Sequence, residues 1–137
     1  MRIVITSFGS LGDLNPYLGL GRALKARGHD VILAMPRYYM PYAEAAGLRG
    51  HPVRPDIDPS QREVVRRVMD PFRGAEYLIR ELLVPNVDDA YADLDALMAD
   101  GDILISHPLT YAAPVLGERR RLAWASSVLA PLGFFSQ

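Results

Sequence analysis

Apolar residues along this chain fall into short unbroken runs, separated by longer stretches in which they recur every three or four positions. The runs Arg2–Thr6 (Arg-Ile-Val-Ile-Thr), Asp30–Met35 (Asp-Val-Ile-Leu-Ala-Met) and Asp102–Ser106 (Asp-Ile-Leu-Ile-Ser) predict strands buried on both faces. Leu48–Val53 and Leu122–Val128 are weaker versions of the same signal. Between the first two runs, Asn15 as N-cap and Pro16 at the first helical position predict a helix to Arg27, with Tyr17, Leu20, Ala23 and Leu24 on one side. Gly28 suits the left-handed residue that closes it. Pro36–Ala46 predicts a short helix ended by Gly47, and Arg54–Ser60, with Pro55 and Pro59, reads as a linker. Gln61–Met69 and Phe72 to Ala99 predict helices, with Asp70-Pro71 as the start signal between them and Pro85 kinking or splitting the second. Thr110–Arg120 is the last predicted helix.

Strand and helix alternate with short connections, which predicts right-handed crossovers and a parallel sheet. The expected fold is therefore α/β: a Rossmann-like parallel sheet with helices on both faces. Its first and fourth strands are neighbours in such a sheet. No internal repeat interrupts the pattern. The chain stops on the apolar segment Leu132–Gln137, and from this we expect a truncated part of a longer polypeptide.

Composition narrows the classes. The 137 residues are 50% hydrophobic and 23% charged, with net charge −1, as in a single soluble globular domain. With no cysteine, a disulfide framework, a zinc ribbon and a thiol nucleophile are excluded. No apolar run approaches the roughly 18 residues of a membrane span, and a strand pattern at Met1–Ile5 argues against a signal peptide. A cytoplasmic protein is expected. A sequence pI near 6.3 gives no general attraction to nucleic acid. The acids Asp88, Asp89, Asp93, Asp95, Asp100 and Asp102 read as a solvated helix face, and Arg119–Arg121 suit a helix C-terminus.

Ligands of an open parallel sheet bind beyond the carboxyl ends of the strands. The first strand delivers Ser7-Phe8-Gly9-Ser10-Leu11-Gly12-Asp13 to that edge. Gly9 and Gly12 permit positive φ and close approach of another group. A dinucleotide fingerprint needs a third glycine and a phosphate loop needs Gly-Lys-Ser/Thr; neither is present. An acid at this helix start suggests a proton acceptor or hydroxyl binder, or else simply a helix cap, and the spacing leaves both open.

The run Gly9-Ser10-Leu11-Gly12-Asp13-Leu14-Asn15-Pro16, followed by Leu20-Gly21-Arg22-Ala23-Leu24 and Arg27-Gly28-His29-Asp30-Val31, resembles the start of glycosyltransferase family 28 enzymes of the UDP-glycosyltransferase-like superfamily, which have the GT-B fold. Asp102–Leu109 and Ala123–Ser136 resemble them too; residues 54–100 do not inform the comparison. The resemblance implies an inverting glycosyltransferase whose N-terminal Rossmann-like half, here residues 1–137 and incomplete, binds a small hydroxylated acceptor: a lipid or a secondary metabolite. The nucleotide-sugar donor would be held by a C-terminal domain that this chain lacks, so the chain alone is expected to be inactive. The reaction would need no metal or other cofactor.

The same resemblance makes Asp13 the candidate base and His107, at the end of the fourth strand, its partner, an exchange of the usual His and Asp. Which of the two takes the acceptor's proton is left open, with His107 the easier base on chemical grounds; His107 could equally be a strand-end residue bonded to backbone. Gly9, Ser10, Leu11 and Gly12 are the candidate substrate-binding residues. His29 is expected to bond the last carbonyls of the first helix, and His51 to be solvated. Asp56-Ile57-Asp58 and Asp93-Leu94-Asp95 mimic a metal motif but lie in a linker and a helix, and the three histidines are scattered, so no metal site is expected. Residues 61–84 interleave Arg62, Arg66, Arg67, Arg73 and Arg80 with apolar positions. They read as a helix pair packed on the sheet or as a basic amphipathic surface, meeting acceptor or a membrane's inner face. The rival function class is a non-catalytic binding module, whose exposed C-terminal apolar surface would favour self-association.

Overall fold

A computed structural model describes residues 1–129; the apolar segment Leu132–Gln137 lies outside them. Five strands form one parallel sheet in the order β3-β2-β1-β4-β5. The strands are β1 (Arg2–Thr6), β2 (Asp30–Met35), β3 (Arg49–Pro52), β4 (Ile103–Ser106) and β5 (Ala123–Ser126). The helices are α1 (Leu11–Ala26), α2 (Met40–Ala45), α3 (Arg62–Val68), α4 (Gly74–Tyr77), α5 (Val87–Leu97) and α6 (Ala112–Arg120).

Alternation along the central strands sorts the core into two layers. Ile3 and Ile5 of β1 join Val31, Leu33 and Met35 of β2, packed under Leu14 and Tyr17 of α1 and Ala43 of α2. Val4, Ile32 and Ala34 point the other way, joining Leu104 of β4 against Leu94 of α5 and Ala112, Ala113 and Leu116 of α6. The helices thus cover both faces, as the unbroken apolar runs require. The acidic block is tied down as well as solvated. Asp93 accepts from Arg54 at 2.8–2.9 Å, and Arg120 reaches Asp95 Oδ1 (3.1 Å) and the Met98 carbonyl (3.0 Å).

Two local expectations are corrected and one, the split at Pro85, is met. First, α1 starts at Leu11, four residues before Asn15, because Ser10 is the N-cap, with extended backbone (φ −86°, ψ 178°). Asp13, the third helical residue, turns back to accept the Ser10 N–H. Pro16 is therefore inside the helix, and the carbonyl it leaves unpaired belongs to Gly12, on the exposed first turn. Second, the helical stretch 72–99 is split, as Pro85 led us to expect. A wide turn of helix over Leu78–Leu83 and a tight one over Val84–Asn86 separate α4 from α5, since Pro85 cannot donate a hydrogen bond. Third, α3 buries no residue, so it does not pack on the sheet; Met69 is 75% and Phe72 94% exposed. The Asp70 start signal is real: its Oδ1 accepts the N–H groups of Phe72 and Arg73, both at 2.8 Å, and these amides hold its carboxyl below its ordinary range. At the end of α1, Gly28 takes φ +87°, and His29 bonds the Leu24 carbonyl through its main-chain N–H at 3.2 Å.

The start of β1 is clamped to the entry of β4 by one buried acid. Asp102 accepts Arg2 Nε at 3.0 Å on both oxygens and the Ala99 N–H at 2.7 Å. Burial pushes its carboxyl up, but Arg2 and the Ala99 amide more than offset this and hold it below 3.8. Asp102→Ala strands the Ala99 amide and leaves the Arg2 guanidinium with the Leu97 carbonyl alone. We expect a loss of about 1–3 kcal/mol by urea unfolding, against no measurable change for Asp100→Ala in the fully exposed pair with Arg120.

Candidate active site

The strand order reverses between β1 and β4: the chain runs from β1 outward to β3, then returns to the other side of β1. The loops leaving these two strands meet in the crevice at this switch point. Thr6 pairs with Ser106, and the His107 N–H continues the ladder to the Thr6 carbonyl at 2.9 Å. The loop after β1 carries Gly9, Ser10 and Asp13; the loop after β4 carries His107.

Asp13 divides its two carboxylate oxygens. Oδ2 accepts the Ser10 N–H at 2.8 Å and the Ser10 hydroxyl at 3.1 Å. Oδ1 faces His107 Nε2 at 3.7 Å, beyond hydrogen-bond length. The side chain is 37% exposed, and Oδ1 accepts no hydrogen bond among the described residues. Helix capping and a reactive carboxylate are thus compatible here: one oxygen serves each.

His107 is buried, and its surroundings assign its proton. Nδ1 accepts the Leu109 N–H at 3.1 Å, so in the neutral ring the hydrogen sits on Nε2 and points at Asp13. Burial pushes its pKa below 6.5, opposed by the neighbouring Asp13 carboxylate. A neutral imidazole whose free nitrogen already accepts an amide has no lone pair for an incoming hydroxyl. The chemical preference for His107 as the base is therefore not what this geometry supports.

Two tyrosines that sequence reasoning left out of the site frame it. Tyr17 lies edge-on to the His107 ring, centroids 6.1 Å apart, and its hydroxyl meets Ser127 Oγ at 2.6 Å. Ser127 in turn donates to the Ser106 carbonyl at 2.8 Å. The signal was available, since Tyr17 follows Asp13 by four residues on one helix face. Tyr39, after β2, donates its hydroxyl to the Gly9 carbonyl at 2.6 Å; nothing in the sequence pairs these two. Gly9 adopts φ +136°, and a Cβ there would run into the Asp13 carboxylate. Gly12 does not take positive φ: it lies, with Leu11, on the exposed first turn of α1.

The Asp-x-Asp pairs are engaged otherwise. Asp56 accepts the Arg37 amide and Asp58 the Ser60 amide, at 2.9 and 2.7 Å, while Asp93 and Asp95 hold Arg54 and Arg120. An apolar crevice of about 30 Å³ among Phe8, Val53, Leu94, Leu109 and Tyr111 has room for a water or two; neither Asp13 nor His107 lines it.

No family model matches the chain. It is 36% identical over 127 residues to the O-mycaminosyltylonolide 6-deoxyallosyltransferase of Streptomyces fradiae, an alignment covering 86% of this chain and 29% of that protein. It is 31% identical over 127 residues to the L-demethylnoviosyl transferase of Streptomyces niveus, covering 90% and 33% respectively. The chain thus spans about a third of the length of these curated relatives or less. Among solved structures, the Streptomyces sp. SF2575 glycosyltransferase SsfS6 superposes with a TM-score of 0.70 at 21% identity, over 92% of this chain and 38% of that one. The calicheamicin glycosyltransferase CalG4 does so at 0.69 and 19% identity, over 91% and 31%. At such identities the likeness is one of fold.

His107 generates a pH prediction. Its folded pKa lies below the unfolded value of 6.5, so the unfolded chain binds more protons and stability falls as pH drops through 6.5. The lowered carboxylates Glu63, Asp70, Asp93 and Asp102 act near and below 4.5, under this window. Urea unfolding between pH 7 and pH 5 is expected to show stability declining with acid, and His107→Gln to flatten that decline.

Proposed function

The chain belongs to the glycosyltransferases of the GT-B fold, and from that membership we propose that it is the acceptor side of an inverting enzyme in which Asp13 is the general base. The observation that carries the reading is the division of the Asp13 carboxylate: Oδ2 is held by Ser10, while Oδ1, beside His107 at the sheet's switch point, accepts no hydrogen bond among the described residues. An acceptor hydroxyl docked at Oδ1 would attack the anomeric carbon of a nucleotide sugar. The new C–O bond forms as the bond to the nucleotide's terminal phosphate breaks, the diphosphate leaves, and the hydroxyl proton passes to Oδ1. An aspartate is a weak base, so transfer comes late, when the attacking oxygen has already become acidic.

His107 orients rather than abstracts in this reading. Its Nε2–H closes from 3.7 Å toward Oδ1 as the site fills, steadying the carboxylate without competing for the proton. Gly9, Ser10, Leu11 and Gly12 form the wall along which the acceptor lies. The exposed Met69 and Phe72 and the neighbouring arginines supply further apolar and polar contact; peripheral membrane contact through the same surface is the alternative use.

The acceptor class we propose is a small hydroxylated lipid or secondary metabolite. Two relatives named for transfer of 6-deoxyallosyl and L-demethylnoviosyl groups support the sugar-transfer half of this statement. The donor would bind in the part of the relatives' length that this chain does not span, so the 137 residues alone should not turn over. No metal or organic cofactor is needed for the step as written.

In the full-length enzyme, Asp13→Asn should lower kcat by about 10²–10⁴-fold, the usual worth of a positioned base. His107→Gln should cost less, about tenfold. Near-normal turnover by a folded Asp13→Asn enzyme would remove the reading.

A further inference from the structure

We propose that Tyr39 is a positioning residue for the Asp13 carboxylate, acting through the single peptide unit that joins Gly9 to Ser10. The proposal rests on Asp13 being the base, and it adds a residue from the turn after β2 to the machinery.

The Tyr39 hydroxyl donates to the Gly9 carbonyl at 2.6 Å. The N–H of that same peptide, belonging to Ser10, donates to Asp13 Oδ2 at 2.8 Å. Tyrosine, peptide plane and carboxylate therefore form one directed chain of hydrogen bonds, O–H to C=O and N–H to carboxylate. Such bonds in series polarise one another, so the first strengthens the second.

The plane needs an external anchor. Gly9, at φ +136°, has no side chain to fix its torsions, and a glycine peptide turns more readily than any other. If the Gly9–Ser10 plane rotates, the Ser10 amide leaves Oδ2, and the carboxylate loses the contact that decides which oxygen faces the crevice. The Ser10 hydroxyl, at 3.1 Å, is the only other donor on Oδ2 among the described residues, and it turns freely.

Tyr39 is built to supply that anchor. It is 4% exposed and packs in the α1 layer of the core. Its ring stands at 90° to Tyr38 with centroids 5.2 Å apart, and Tyr42 lies 6.0 Å away. Burial pushes its pKa up from 10.0, which keeps the hydroxyl protonated and donating. Tyr38 and Tyr42 are exposed and donate nothing to the loop, which makes them internal controls.

The test is Tyr39→Phe, which keeps the ring and its packing and removes one oxygen. By amide hydrogen exchange on the 137-residue chain, Ser10 is expected to exchange about tenfold faster or more, the size of one lost net hydrogen bond, with the β1 amides unchanged. Tyr38→Phe should leave Ser10 exchange alone. In the full-length enzyme, Tyr39→Phe should lower kcat about tenfold with KM within about twofold; a purely packing role would lower stability and leave that split unmoved. Unchanged Ser10 exchange overturns the proposal. So does faster Ser10 exchange with wild-type kcat. Should Tyr39→Phe fail to fold, the wild-type chain still decides: a Tyr39 hydroxyl proton protected from exchange supports the relay, and an unprotected one overturns it. Near-normal turnover of Asp13→Asn would instead remove the base assignment, a failure distinguishable from these because Ser10 exchange reads the hydrogen bonds without any turnover.

Discussion

One strand holds the architecture in place. β1 is hydrogen-bonded on both edges, to β2 and β4, and its side chains are buried on both faces. A strand so enclosed can release its chain only at its ends, and parallel neighbours release theirs at the same end. The β1–β4 boundary is also where the order of connection reverses. That combination leaves a crevice flanked by the loops of residues 7–10 and 107–109, and every group discussed as chemistry lies on one of those loops, on the first two turns of α1, or against them. The clamp from Arg2 to Asp102 serves the same boundary from its opposite end.

Within the crevice, the division of labour on Asp13 is the organising electrostatic fact. A carboxylate at the start of a helix is drawn toward amide hydrogens, and if both oxygens were so drawn the group would be a cap and nothing more. Here Ser10 occupies Oδ2, and the steric emptiness of Gly9 makes room for the carboxylate to lie against the loop. Oδ1 is left facing an imidazole whose own lone pair is already occupied by the Leu109 amide. A burial-depressed His107 contributes a neutral donor, so the pair presents one proton acceptor and one proton donor and does not collapse into a salt bridge.

Much of this was legible in the chain. Unbroken apolar runs at 3–5, 31–35 and 103–105 announced strands covered on both faces, and the alternation with helices announced the parallel sheet. The opening motif pointed to Asp13, and the end of the fourth strand to His107. The errors came where two local signals competed. Asn15-Pro16 is a good helix start, but Ser10 followed three residues later by Asp13 is an equally good one, and it captured the N-terminus because Asp13 can reach back to the Ser10 amide. The basic stretch 62–80 has the period of a buried helix pair, yet α3 stands off the sheet. Periodicity records which face is apolar and is silent about what covers it.

The sequence by itself settled the class of fold and the sheet edge on which Asp13 and His107 lie, because strand burial, strand direction and loop position are local or nearly local properties. The tertiary structure alone decided how those residues are arranged. The tautomer of His107, the split of Asp13's oxygens and the reach of Tyr39 to Gly9 each depend on atoms brought within 2.6–3.7 Å of one another from separate segments. Hydrogen-bond direction is lost over fractions of an ångström, and no spacing along a chain encodes distance at that scale between strands.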